Sequence, residues 1–233
     1  TALSAGGAVI ISQYIGFGNK QKAGVSASQL LMISILISGV LSVLILIFSN
    51  QLLSLLFGDV DPDVMEACRV YLRILTCSLP ALAVYDAGAA LCRSVGKANV
   101  TMYISLAANG INIIGNCVGV FVLKLGAAGV AWPSLISRIL SAAAVTAFCL
   151  NSGWEAHYRV RDIFSWNNAI LKKIMYIALP NGAENGIHQF VKVALSSMVA
   201  MFGTYQIAAN GVEQSIWSLA SIMGLAMAPA TGL

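Results

Sequence analysis

Long apolar runs separated by short polar breaks dominate the chain, at about 1–17, 23–57, 62–92, 98–123, 127–150, 169–202 and 205–233. A bilayer core about 30 Å thick needs about 20 predominantly apolar residues in a helix that crosses it. Each run therefore predicts a membrane-crossing helix, and together they predict an all-α, polytopic transmembrane helical bundle. The run 23–57 would extend about 50 Å as one helix, so it must tilt, bend or protrude into water.

The breaks between runs fall at 19–22, 58–61, 93–97, 124–126, 151–168 and 203–204. Consecutive spans alternate in direction, which puts the first, third and fifth breaks on one side of the membrane. That side carries Lys20, Lys22, Arg93, Lys97, Arg159, Arg161, Lys172 and Lys173, against Lys124, Arg69 and Arg73 at or near the other. The excess of basic residues assigns the first side to the cytoplasm. Asp59, Asp61, Asp63 and Glu66 then lie outside, where Asp61 is positioned to cap a helix that begins at Pro62. The fifth break, with Trp154, Tyr158 and Trp166 among charges, has the make-up of an interfacial segment. It reads either as a linker between two lobes or as a simple cytoplasmic loop.

Composition agrees with this picture. Of 233 residues, 58% are hydrophobic and 9% charged, whereas a soluble domain carries about 25% charged residues. A water-soluble fold is excluded on that ground. The chain opens with Thr1 in an apolar run and closes in another, so it reads as a segment cut from a longer protein, and the opening run does not read as a signal peptide. Cys68, Cys77, Cys92, Cys117 and Cys149 sit in or at the ends of apolar runs, with no C-x-x-C pair, and read as small hydrophobes. Neither a metal nor an organic cofactor is expected, nor a nucleic-acid partner.

The candidate chemistry lies in the sixth run, in "PNGAENGIHQFVK". Glu184, His188 and Lys192 are spaced by four and share one helix face, each about 6 Å along the axis from the next. Asn181, Asn185 and Gln189 widen that face. His188 falls near the middle of the run, where an ionised group costs about 2.5–3.5 kcal/mol and faces a cavity or a partner. A carboxyl beside an imidazole and an ammonium is a group that can exchange a proton or a cation. The competing reading is a self-neutralising ladder that holds helices together.

Weaker candidates are Glu213, which stands with Asn210 and Gln214 in the seventh run, Asp86 in the third and Arg138 halfway down the fifth. Asn109, Asn112 and Asn116 form a polar face suited to packing against a neighbour. Pro80, Pro180 and Pro229 interrupt their runs and predict kinks that free backbone carbonyls. Gly6, Gly7 and the "GAAGVAWPS" stretch at Gly126 permit close helix approach.

The order of motifs resembles the multidrug and toxic compound extrusion family. "ISQYIGFGNKQKA" (11–23) is similar to that family's end of helix two and the following loop, and "CRSVGKAN" (92–99) to the loop between helices four and five. "NGINIIGN" and "GAAGVAWPSLISR" resemble helices five and six, while "ALPNGAENG" and "GTYQIAANGVEQ" resemble helices seven and eight. The resemblance covers the whole chain, from within helix two to within helix eight of a twelve-helix, two-lobe transporter. "AMAPATGL" near the end is similar to "ALSAGGAVI" at the start, as parallel repeats require.

The resemblance implies N-lobe helices over 1–150, a cytoplasmic inter-lobe linker over 151–168, and the first two C-lobe helices over 169–233. It implies a secondary antiporter that exports organic cations in exchange for H+ or Na+, not an enzyme. The cation-coupling or substrate cavity would draw on Glu184, His188, Asn181, Asn185, Gln189, Lys192 and Glu213. Family members often place an acidic residue about two turns after the helix-seven proline, where this chain has His188, with Glu184 one turn earlier. That departure leaves H+ and Na+ both open as the coupling ion. The expected partners are a small cationic substrate and the lipid bilayer, with a monomer in the plasma membrane, specifically the bacterial inner membrane.

Two alternatives stand beside this reading. A lipid-linked precursor flippase of the same superfamily calls for a more cationic cavity than Arg138 alone provides. A membrane-embedded transferase calls for clustered aspartates, and "DVDPD" at Asp59 lies among helix-cap signals on the outer face.

Overall fold

The computed structural model describes residues 2–57, 62–150, 156–163, 166–200 and 212–218. Helices follow one another along it: α1 (Ala2–Gly16), α2 (Lys20–Ile47), α3 (Ser49–Phe57), α4 (Pro62–Cys77), α5 (Leu79–Ser94), α6 (Ala98–Cys117), α7 (Ala127–Cys149), α8 (Val160–Ile163) and α9 (Asn168–Ala200). A further helix covers 212–218. The expected Asp61 cap, the 203–204 break and most of the seventh run, including Asn210, Pro229 and the "AMAPATGL" repeat, lie outside the described residues.

The helices match the apolar runs, with three refinements. The run 23–57 breaks at Phe48, between α2 and α3. The run 62–92 divides at Ser78 into α4 and α5, which meet at a 42° bend. Pro80 sits in the first turn of α5, where its missing N–H costs nothing and the preceding helix cannot continue through it. The run 98–123 ends in a π-helical turn, Val118–Val122. Among the described residues three helices are long and apolar enough to cross a membrane, or four with the broken pair counted as one span.

By contacts the chain forms two compact units, Thr1–Ala183 and Glu184–Leu233. In the first, α5 packs against α1, α2, α6 and α7, and α6 lies along α7. Its buried core gathers Ile10 and Ile11 of α1, Leu30 of α2, Leu91 and Cys92 of α5, Val145 and Cys149 of α7, and Ile170 and Ile174 of α9. These residues lie at the helix ends nearest Lys20, Arg93 and Lys97, so the tight packing is concentrated at the end that the basic residues assign to the cytoplasm.

Small residues make that packing close. A Cβ added at Gly7 would stand 2.3 Å from the Leu30 side chain, and one at Gly88 2.1 Å from Val145. Hydroxyls bridge the helices: Ser94 donates to the Ala8 carbonyl, and Ser42 to that of Thr76. In hydrocarbon, where apolar burial alone does little to hold helices together, small-residue contact and such bonds supply the attraction.

The second half of the polar break is anchored to α2. The fully buried Gln29 donates to the Asp162 carbonyl at 2.8 Å and accepts from the Asn167 amide at 3.2 Å. Ser28 accepts from the Arg159 amide, and the Tyr158 amide donates to the Cys149 carbonyl at 2.8 Å.

Candidate functional site

Helix α9 carries the ionisable stripe because nothing in 168–200 stops it except Pro180, which the helix accommodates internally. Glu184, His188 and Lys192 follow one another at one-turn intervals along its face, and all three are exposed. Asn185 and Gln189 are exposed beside them, while Asn181, one turn earlier, is half-buried. The helix thus presents a carboxyl, an imidazole and an ammonium on a single line, with amides alongside.

Within the second unit Lys192 has a partner that sequence spacing could not show. Its Nζ lies 5.8 Å from the centroid of the Trp217 ring. Glu213 is exposed and stands one turn before Trp217, so carboxylate and indole share a face of the 212–218 helix. A cation over an indole is drawn to the ring's negative face and still keeps its charge. Lys192 is therefore tethered to the helix that carries Glu213, while Glu184 and His188 continue the line on α9.

The other candidates sit in the first unit. Asp86 lines a cavity of about 200 Å³ between α1, α2 and α5, with Ser4, Ser34 and Ser38 as polar neighbours. Arg138 lines another, between α5, α6 and α7. The asparagine face on α6 packs as its pattern suggests: Asn112 donates to Ser134 at 3.0 Å and Ser137 at 3.5 Å on α7, and Asn116 donates to Asn112. Asn109, on the same face, lines the Arg138 cavity together with Asn112.

The cysteines divide by environment. Cys77 and Cys117 are exposed and Cys68 is half-buried, whereas Cys92 and Cys149 are buried with their sulfurs 3.8 Å apart. That distance is a van der Waals contact between two thiols, in keeping with small hydrophobes filling a helix crossing.

Comparison with known proteins places this geometry. The MatE family profile matches residues 1–118. The transporter YisQ of Bacillus subtilis (strain 168) is 24% identical over 98% of this chain and 50% of its own length. The multidrug export protein MepA of Staphylococcus haemolyticus (strain JCSC1435) is 23% identical over 89% of this chain and 45% of its own. A solved inward-facing multidrug resistance MATE family transporter of the MOP superfamily superposes with a TM-score of 0.84 at 21% identity, over 95% of this chain and 50% of that one. The chain therefore spans about half the length of the curated relatives it matches, and at this identity the superposition speaks for the fold alone.

Proposed function

The chain belongs to the MatE family of multi-pass membrane transporters, whose members are not enzymes, and from that premise we propose that it is part of a plasma-membrane antiporter exporting organic cations in exchange for H+ or Na+. In this reading 1–150 belongs to one lobe, 151–168 is the linker, and 169–233 opens the second lobe of a monomer. No cofactor beyond the coupling ion takes part.

The observation that carries the reading is the exposed line of Glu184, His188 and Lys192 on α9. Ionisable groups at that depth are tolerated where they face water or a partner. Glu184 is the exchanging group: its carboxylate holds either the coupling ion or the positive charge of the substrate, and occupancy by one repels the other. His188, a turn away, takes or releases a proton next to it. Asn181, Asn185 and Gln189 offer uncharged hydrogen bonds that orient the cargo, and Lys192 and Glu213 set the charge at the far end of the line. Competition of this kind couples the two fluxes, because an ion drives export only when it binds two states of the transporter with different affinity.

The relatives named for multidrug resistance and multidrug export favour a drug-like cargo over a lipid-linked precursor. Extrusion of ethidium from energised cells tests the assignment. Glu184→Gln in the full-length protein is expected to reduce extrusion at least tenfold, the size expected for losing one charge-assisted contact, with normal membrane abundance. Unchanged extrusion at equal abundance removes Glu184 from the mechanism.

A further inference from the structure

Helices α1 and α9 cross closely at Gly6, where an added Cβ would stand 3.0 Å from the Ile174 carbonyl oxygen. Beside that crossing, toward Lys20, a cavity of about 500 Å³ lies between the two helices. Both helix ends there are cytoplasmic by the count of basic residues, since α1 runs down toward Lys20 and α9 starts just before Lys172. The α9 wall of the cavity extends from Ala169 to Ile177, about 12 Å along the helix axis. That is close to one leaflet's share of a hydrocarbon core about 30 Å thick.

Ile10, Ala169 and Ile177 give this groove apolar wall, and Lys172 and Lys173 give it two cations, with no carboxylate in its lining among the described residues. Both lysines are exposed. Lys173 Nζ donates to the Tyr14 hydroxyl at 3.3 Å and lies 5.6 Å from the centroid of that ring, contacts that leave its charge in place. Lys172, and the amide of Gln13 on the facing wall, make no hydrogen bond or ion pair among the described residues. An ammonium has three N–H donors, so most of the donor capacity of the pair is open to a ligand. Tyr176, 83% exposed in the same lining, is an aromatic of the kind that gathers at headgroup level.

We propose that this groove binds one anionic phospholipid of the cytoplasmic leaflet. The headgroup phosphate lies on Lys172 and Lys173, Gln13 donates to the headgroup, and an acyl chain runs along Ile10, Ala169 and Ile177. Charge complementarity selects this occupant. A headgroup with net negative charge neutralises two cations that have no carboxylate of their own, whereas a soluble anion leaves the apolar wall uncovered. Basic pockets between transmembrane helices on the cytoplasmic side suit headgroups of this class. The site is separate from Glu184 and stands whether or not that residue couples export to an ion.

The test uses the full-length protein in phosphatidylcholine nanodiscs with a trace of photoactivatable phosphatidylglycerol, and crosslinked peptides are identified by mass spectrometry. Label is expected on 10–14 and 169–177, displaced by unlabelled phosphatidylglycerol and not by inorganic phosphate. Photoactivatable phosphatidylcholine at the same trace level is expected to label these peptides roughly 25-fold less, at about fivefold for each lysine. Lys172→Gln and Lys173→Gln each lower the phosphatidylglycerol label about fivefold, while the thermal unfolding midpoint stays in place. Lys22→Gln, the same loss of charge at the same membrane end but outside the groove, leaves the label in place. Should Lys173→Gln fail to fold through loss of its bond to Tyr14, Lys172→Gln has no such bond to lose and gives the reading alone. The proposal is overturned if these peptides carry no label, which would mean that another part of the chain fills the groove, or if the two lipids label them equally. It is equally overturned if inorganic phosphate displaces the label, if Lys172→Gln keeps it, or if Lys22→Gln lowers it as much as Lys172→Gln does.

Discussion

Tyr158 is 2% exposed, and its hydroxyl has no hydrogen-bond partner among the described residues. Burial pushes its phenol well above the usual tyrosine range, and the neighbouring Cys149 and Cys92 push the same way. The hydroxyl thus stays neutral and contributes desolvation cost without a compensating bond. Tyr158→Phe is expected to leave the thermal unfolding midpoint in detergent unchanged or to raise it, by the equivalent of about 1 kcal/mol; a clear fall would show that the hydroxyl has a partner. The sign of the pH effect follows from a raised folded value. Stability tied to the neutral phenol is complete below about pH 10, where a free tyrosine begins to ionise, and is lost as pH rises further. The parent should therefore lose midpoint more steeply than Tyr158→Phe between neutral pH and strongly alkaline buffer. Sequence showed Tyr158 only as an aromatic among charges, because the thiols that surround it come from α5 and α7. Glu184, His188 and Lys192 were legible as a line because four-residue spacing is local, whereas the Trp217 ring over which Lys192 sits belongs to another helix.

At the scale of elements, contact between α7 and the π-helical turn that continues α6 is set by backbone meeting backbone. A Cβ at Gly129 would stand 2.6 Å from the Gly119 carbonyl oxygen, and neither chain can yield by turning a side chain. Gly129→Ala is expected to destabilise by about 1–3 kcal/mol, read as a lowered unfolding midpoint. An unchanged midpoint would mean that the two helices separate freely. Gln29 is the corresponding device for residues 158–167. Gln29→Ala leaves the Asp162 carbonyl and the Asn167 amide without that partner, at a cost of about 1–3 kcal/mol, and should speed proteolysis between 158 and 167; an unchanged cleavage rate would show that Ser28 alone holds the segment. The α4/α5 bend was legible because Pro80 marks it. The break at Phe48 was not, since 23–57 is apolar on both sides and no proline or charge marks the place. The "GAAGVAWPS" glycines announced close packing but could not name Gly119 as their counterpart, which lies across a turn and a change to π-helical winding.

For the whole molecule, the first unit is packed most tightly at the end bearing Lys20, Arg93 and Lys97, where α1, α2, α5, α7, α9 and residues 156–158 share a core. Nearer mid-depth the same unit holds cavities, a largely apolar one at Asp86 and a more polar one at Arg138. Tight packing at one end beside hollows is what the proposed lobe would need in order to move as a body around a site. The central claim is that the Glu184 carboxylate exchanges an ion for a cationic cargo. Its most direct measurement is tetraphenylphosphonium flux by the full-length protein in sealed liposomes, with H+ and Na+ gradients imposed one at a time. The account predicts flux driven by one of the two gradients in the parent and no gradient-driven flux in Glu184→Gln. Gradient-driven flux that survives in Glu184→Gln would contradict it.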